Sequence, residues 1–337
     1  MSTRPRRLHH YSGRGSRRDW VAAKLKSQAL SDAYRAIDAK THGRRADRVA
    51  ECANRLEFER VDGQLELRRA FRCNNRLCAV CAALNSRKDF AILMGRMAEH
   101  ANRHPFAAPI LVTLSVPNMA PDNLRAGITH LLGAYRRLLR MPVIKRAVMG
   151  SHRSLEITVN KERGDFHPHL HCIMQVGPDA RAYFRKASPL YLTHTRWLDL
   201  WHTATGLDQL PGVHVKRLGR SRRDGTFDLT ADGLFEAVKY CLKPDGWLDR
   251  DETGAWRIDP ALLRVVHDAV HRRRLRDLGG SLRKIRTADL PNPTHDRRLA
   301  EAHAQFDAME AYEFGDWVEP DTGEILTDYW QRAPPDA

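Results

Sequence analysis

Within the run FHPHLHCIMQV (166–176), residues 166–172 alternate with a period of two. His167, His169 and His171 alternate with Phe166, Pro168, Leu170 and Cys172. Alternation of this kind predicts a strand, because successive side chains of a strand point to opposite faces. Phe166, Leu170, Cys172 and Met174 can then pack on a core, which leaves the imidazoles together on the other face. The apolar-alternating run SLEITVN (154–160) lies just upstream, joined by the polar KERGD, and the two predict a β-hairpin. Cross-strand partners share a face. Glu156 therefore stands across from His169 or His171, depending on the loop register, and faces the imidazoles in either case. Two imidazoles and a carboxylate, with positions left to water, suit a Mg²⁺ or Mn²⁺ ion held against a phosphate.

The rest of the chain supplies more strands and helices. An apolar run at 109–118 predicts a buried central strand. Helical patterns cover 85–104, with Phe90, Leu93, Met94 and Met97 on one side, and 121–140, with Pro121 at its start. Further helical patterns fall at 179–187 and 194–205, and GVHVKRL (212–218) reads as a strand. Helices interspersed with hairpins point to an α+β fold rather than a doubly wound parallel sheet.

Four of the six cysteines follow the spacing Cys52-x20-Cys73-x4-Cys78-x2-Cys81. Asp62-Gly63 lies midway between the first two and is a strong two-residue hairpin turn. Strands flanking that turn would set Cys52 directly opposite Cys73, with Cβ atoms about 4.5–5.5 Å apart. Cys78 and Cys81 add a C-x-x-C knuckle, completing a closed four-thiolate zinc site with a structural role. Clustered thiols of this kind fit a reducing cytosol better than a disulfide framework.

Placed on a helix, residues 234–243 segregate. Leu234, Phe235, Ala237, Val238, Cys241 and Leu242 form an apolar arc, while Glu236, Lys239, Tyr240 and Lys243 share the polar face. A tyrosine oxygen can attack a phosphodiester. Neighbouring lysines favour the phenolate, and a glutamate one turn away can act as general base.

Charge is distributed to match. Residues 301–337 hold ten acidic residues and one basic residue, Arg332, so the preceding 300 carry a surplus of 24 positive charges. That surplus points to a polyanionic partner, DNA or RNA. No run of 18 apolar residues occurs, so a membrane span is not expected. The basic N-terminus lacks an apolar segment behind it and is not expected to be a secretory signal.

Taken together, these segments resemble the HUH endonucleases, and specifically the plasmid rolling-circle replication initiators. FHPHLHCIM is similar to the H-P-H-x-H form of the family's histidine motif, and FEAVKYCLK to its tyrosine motif. FRCNNRLCAVCAALNSRK resembles its cysteine segment, and ILVTLSVPN its first strand. Their order matches over about residues 50–245. The chain departs from the family at Ala79, where the family usually has proline, without losing a ligand.

The resemblance implies an antiparallel ferredoxin-like (RRM-like) sheet with flanking helices and a small zinc-binding hairpin. His169 and His171 would be metal ligands and Glu156 the third, with His167 outside the family pattern. Tyr240 would nick single-stranded origin DNA, keeping the 5′ phosphate and leaving a 3′-OH. Glu236 would activate water or the returning strand, and Lys243 would sit near the scissile phosphate. A host helicase and DNA polymerase are implied as partners, in the bacterial cytoplasm. The expected organisation is a disordered basic arm (1–45), a zinc hairpin and helix (46–104), the endonuclease core (105–250), and a helical basic segment with an acidic tail (251–337). An HUH-type transposase and a non-catalytic zinc DNA-binding regulator are the alternative readings.

Overall fold

The computed structural model describes residues 9–11, 17–61, 64–221, 223–224, 226–228, 247–290 and 309–313. The principal elements, in chain order, are α1 (Trp20–Ile37), α2 (Ala39–Ala50), β1 (Arg55–Val61), β2 (Gln64–Ala70), α3 (Ala79–Arg103), β3 (Ala108–Ser115), α4 (Leu124–Arg140), β4 (Val148–Asn160), β5 (Asp165–Val176), α5 (His194–Thr205), β6 (Val213–Arg217), β7 (Leu248–Arg250), β8 (Trp256–Ile258), α6 (Pro260–Val270), β9 (Arg276–Gly279), α7 (Gly280–Lys284) and β10 (Met309–Glu313). The chain divides into two compact units, one drawn from residues 1–84, 247–264 and 292–337, the other from 85–246 and 265–291. The fold is mixed α and β, and among the described residues no helix is long and apolar enough to cross a membrane.

In the first unit β10, β1 and β2 form an antiparallel sheet in that order, and β7 pairs with β8. The basic arm expected over residues 1–45 is replaced from Trp20 onward by two helices. Ala29, Leu30, Ala33 and Tyr34 of α1 are buried, as are Ala46 and Val49 of α2. These apolar positions recur at helical spacing, but the many lysines and arginines between them hide the pattern. Asp38 caps α2, its carboxylate accepting from the Lys40 amide at 2.8 Å.

The second unit is built on a five-stranded antiparallel sheet in the order β9-β4-β5-β3-β6. After α3, its principal elements run β3-α4-β4-β5-α5-β6. The expected central strand is β3, whose Ile110, Leu111, Val112 and Leu114 are buried between β5 and β6. The KERGD hairpin is β4 and β5, with Asn160 paired to Asp165 across the loop. One face of the sheet carries Leu111 and Ile173, which pack with Leu93 and Met97 of α3. The other carries Cys172 and Arg153, over which Tyr135 of α4 is packed.

The region after residue 251, expected to be helical, contributes strands β8 and β9 as well as α6. β9 joins the sheet at its edge because two glycines follow one another there. Gly280 has φ +55°, and a Cβ at that position would lie 2.2 Å from the Met149 carbonyl oxygen. Only glycine combines that conformation with that approach. Arg96 of α3 secures the segment beyond, its guanidinium donating to the Leu282 carbonyl and the Thr287 hydroxyl at 2.9 Å each, and to the Ile285 carbonyl.

Candidate functional site

The β4–β5 register settles which histidine faces the carboxylate. Glu156 is directly paired with His169, and Ser154 with His171. The Glu156 carboxylate nonetheless reaches both imidazoles. Its Oε2 lies 2.8 Å from His171 Nε2 and 3.4 Å from His169 Nε2. All three residues are nearly buried, at 2% exposure for Glu156, 9% for His169 and 8% for His171.

The other ring nitrogens are engaged by neighbours. His169 Nδ1 lies 3.2 Å from the His167 carbonyl, to which it can only donate. His171 Nδ1 lies 3.3 Å from the Thr113 hydroxyl. Partners of this kind orient an imidazole and reserve its Nε2 for a ligand. Cis ligands held about 2.1 Å from an octahedral ion lie about 3.0 Å apart. The two carboxylate–imidazole separations bracket that value, and all three ligand atoms lie within 4.8 Å of one another, so the donor set is compatible with a divalent cation.

His167 lies on the same strand face, its ring stacked on that of His169 at 5.3 Å. Burial, and then the neighbouring His169, holds its imidazole below the usual value. Thr113 and His214, directly paired on β3 and β6, also belong to this face. Sequence reasoning did not single them out, because a threonine in an apolar run and a histidine in a basic strand carry no pattern of their own.

The second cluster forms in the first unit, where the sulfurs of Cys52, Cys73, Cys78 and Cys81 lie within 4.8 Å of one another. Cys81 Sγ is 3.6 Å from both Cys52 and Cys73, and Cys78 Sγ is 3.5 Å from Cys52. Four sulfurs each about 2.3 Å from a tetrahedral zinc lie about 3.8 Å apart, so the set is close to the size of a zinc site. Hydrogen bonding with Cys73, Cys78 and Cys81, followed by burial, pushes the Cys52 thiol up from its ordinary range. Were all four ionised, thiolates at these separations would repel one another, a cost that a bound cation would remove.

The hairpin reaches this arrangement by a route other than the expected one. Next to the loop, Val61 pairs with Gln64 and Phe58 with Leu67, as a two-residue turn requires. A bulge between Glu57 and Phe58 then shifts the register, so that Leu56 pairs with Ala70. The ladder ends at the Leu56–Ala70 pair, and Ala53 turns with φ +58°. Cys52 and Cys73 are thus not a cross-strand pair but lie beyond the strand ends, in the loops that converge there.

Two residues of α1 complete the cysteine site. The Lys24 ammonium is fully buried and donates to the Cys52 carbonyl and Asn54 Oδ1 at 2.7 Å each, and to the Ala50 carbonyl. Burial lowers its pKa to about 8, against the opposing influence of Cys52, Cys78 and Cys73. Ser27 Oγ lies 3.2 Å from Cys78 Sγ. A helical lysine reads from sequence as a solvated charge, so neither residue was legible.

Tyr240, Glu236 and Lys243 lie outside the described residues, as does the helix expected over 232–243.

Comparison with known proteins bears on the whole chain. A family model described as "Replication protein" matches residues 64–321. A protein named "Protein rep" from Bacillus amyloliquefaciens is 32% identical over 297 residues, covering 82% of this chain and 84% of the relative. Another "Protein rep", from Streptococcus pneumoniae, is 29% identical over 280 residues, covering 81% and 80%. A third, from a Bacillus species, is 30% identical over 271 residues, covering 76% and 85%. No solved structure matches the chain significantly. With a family model spanning most of its length and relatives matched over most of theirs, the chain belongs to the replication protein family of plasmid rolling-circle initiators.

Proposed function

We propose that the chain is a nicking-closing DNA endonuclease of the HUH tyrosine type, which opens a plasmid origin for rolling-circle replication. The observation that carries this reading is the convergence of His169, His171 and Glu156 on one sheet face. The connectivity β3-α4-β4-β5-α5-β6 with strand order β4-β5-β3-β6 supports it too, being the ferredoxin-like arrangement that the resemblance implied. His169, His171 and Glu156 would hold Mg²⁺ or Mn²⁺, and the four cysteines a structural Zn²⁺. The bound divalent ion supplies Lewis-acid polarisation of the scissile phosphate.

The remaining chemistry is assigned to side chains. Glu236 takes the phenolic proton as the Tyr240 oxygen bonds to phosphorus. The bond from phosphorus to the 3′ oxygen breaks, and that oxygen leaves as a hydroxyl, taking its proton from water while Glu236 returns the phenolic proton to solvent and is again a carboxylate. The 5′ phosphate stays on Tyr240, with Lys243 offsetting its charge. To close the cycle, Glu236 deprotonates water or the returning 3′-OH, whose oxygen bonds to phosphorus as the tyrosine oxygen departs and is reprotonated. The free 3′-OH serves a host DNA polymerase, with a host helicase opening the duplex, in the bacterial cytoplasm.

The reading is tested by cleavage of a single-stranded oligonucleotide carrying the origin strand, with Mn²⁺ present. His169→Ala and His171→Ala are each expected to lower the cleavage rate by about 10²-fold or more, as loss of transition-state stabilisation worth about 2.7 kcal/mol. Cleavage by both variants at the parent rate would overturn the proposal.

A further inference from the structure

The face of the sheet opposite the imidazoles bears a second charged feature. Between α4 and the edge strand β9 lies an open notch of about 590 Å³. Six arginines line it: Arg136 and Arg140 from α4, Arg153 from β4, Arg273 and Arg274 from the segment before β9, and Arg283 from α7. The single acidic residue among its walls is Asp277, which lies 3.1 Å from Arg283.

The arginines fall into two groups. Arg153 is buried, with its guanidinium near the Arg274 and Leu275 carbonyls at 3.4 Å and over the Tyr135 ring. Arg273 donates to the Arg125 carbonyl at 3.0 Å and the Thr129 hydroxyl at 2.7 Å. With Arg283 these form the walls. Arg136, Arg140 and Arg274 are exposed, and their guanidinium groups have no hydrogen bond or ion pair among the described residues. Arg136 and Arg140 stand one helical turn apart, about 6 Å along the axis. With Asp277 as the single counter-charge in the lining, these like charges repel one another, a cost that a polyanion relieves.

The lining also selects among phosphate-bearing ligands. Single strands and free nucleotides are held by stacking bases on accessible aromatic rings. The one aromatic residue here, Tyr135, is buried. What the notch offers is forked guanidinium groups at an open surface, which suits a sugar-phosphate backbone whose bases are already stacked on each other.

We propose that the notch between α4 and β9 is a contact for the phosphate backbone of duplex DNA, separate from the imidazole-bearing face and on the opposite side of the same sheet. Arg136, Arg140 and Arg274 make the contacts, and Arg153, Arg273 and Arg283 shape the site. It is independent of sequence and holds duplex DNA flanking the strand to be cut. This use as a flanking contact rests on the proposed nicking function, whereas duplex binding itself does not.

The test is equilibrium binding of the full chain carrying Tyr240→Phe to a blunt duplex, measured across a series of salt concentrations without added divalent metal. Each phosphate contact contributes about 0.9 to the slope of log affinity against log salt. The triple variant Arg136→Ala, Arg140→Ala, Arg274→Ala is expected to lower the slope by about 2.7, while the corresponding triple lysine variant keeps the parent slope. A single-stranded oligonucleotide measured in parallel is expected to lose less than the duplex. An unchanged duplex slope would overturn the proposal. So would equal losses for duplex and single strand, or saturable nucleoside triphosphate binding abolished by the same three changes. Because the experiment involves no cleavage, its outcome is independent of whether Tyr240 is the nucleophile.

Discussion

The Glu156 carboxylate lies closer to His171 Nε2, at 2.8 Å, than to His169 Nε2, at 3.4 Å, although His169 is its directly paired neighbour. The diagonal contact makes one oxygen common to both rings. It also brings the three possible ligand atoms within 4.8 Å of one another on one face of the sheet. Glu156 at 2% exposure is the most buried of the three, so its charge depends on what it faces.

Removing that carboxylate separates a metal role from a structural one. Glu156→Ala is expected to weaken Mn²⁺ binding by at least about tenfold, on the scale seen when a metal site loses a supporting group. Mn²⁺ titration followed by electron paramagnetic resonance checks this. Unaltered Mn²⁺ affinity in a folded variant would show that Glu156 serves only to anchor the histidines.

The cysteine cluster makes an analytical prediction. The purified chain should contain stoichiometric zinc by elemental analysis, and Cys81→Ser should lose it. Since burial of thiolates without a cation is unfavourable, chelation should unfold the first unit and leave a chain of lower helix content by circular dichroism. A metal-free chain with an unchanged spectrum would refute the zinc assignment.

Much of the second unit was legible because its pattern is local. The imidazole strand, the polar four-residue loop and the apolar β3 run each carry period or composition within a few residues. What was not legible depends on distant segments. β9 is four partly exposed residues whose pairing with β4 is made possible by Gly279, Gly280 and the guanidinium of Arg96. The bulge at Glu57/Phe58 moved two cysteines off a register that the turn alone would have set. Lys24 and Ser27 acquire their roles only once α1 is folded against the loop bearing Cys52.

The second unit should also be acid-labile. His152 is buried on the sheet, and burial, then Arg153, lowers its pKa to about 4; His100 on α3 is likewise lowered to about 4, chiefly by burial. An unfolded imidazole titrates near 6.5, so between about pH 6.5 and 4 the unfolded chain binds protons that the folded chain refuses. Stability is therefore full above pH 6.5 and falls toward pH 4, by about 3 kcal/mol from His152 alone. Urea denaturation at stepped pH measures this. His152→Leu should flatten the acid limb, and an acid limb of parent steepness in that variant would contradict the assignment.

Gly280→Ala tests the edge of the sheet. The positive φ and the approach to the Met149 carbonyl both oppose a Cβ, and the change should cost about 1–3 kcal/mol. Chemical denaturation should show that loss, and a neutral substitution would mean that β9 is not held against β4 as described.

In the proposed reaction Tyr240 carries the DNA while the histidine face binds metal. The most direct measurement is to incubate the chain with Mn²⁺ and a single-stranded origin oligonucleotide, isolate the covalent complex, and map the modified peptide by mass spectrometry. The predicted result is a 5′-phosphotyrosine on the peptide containing Tyr240, no adduct with Tyr240→Phe, and a free 3′-OH that a polymerase extends. An adduct that persists in Tyr240→Phe, or one that maps to another residue, would contradict it.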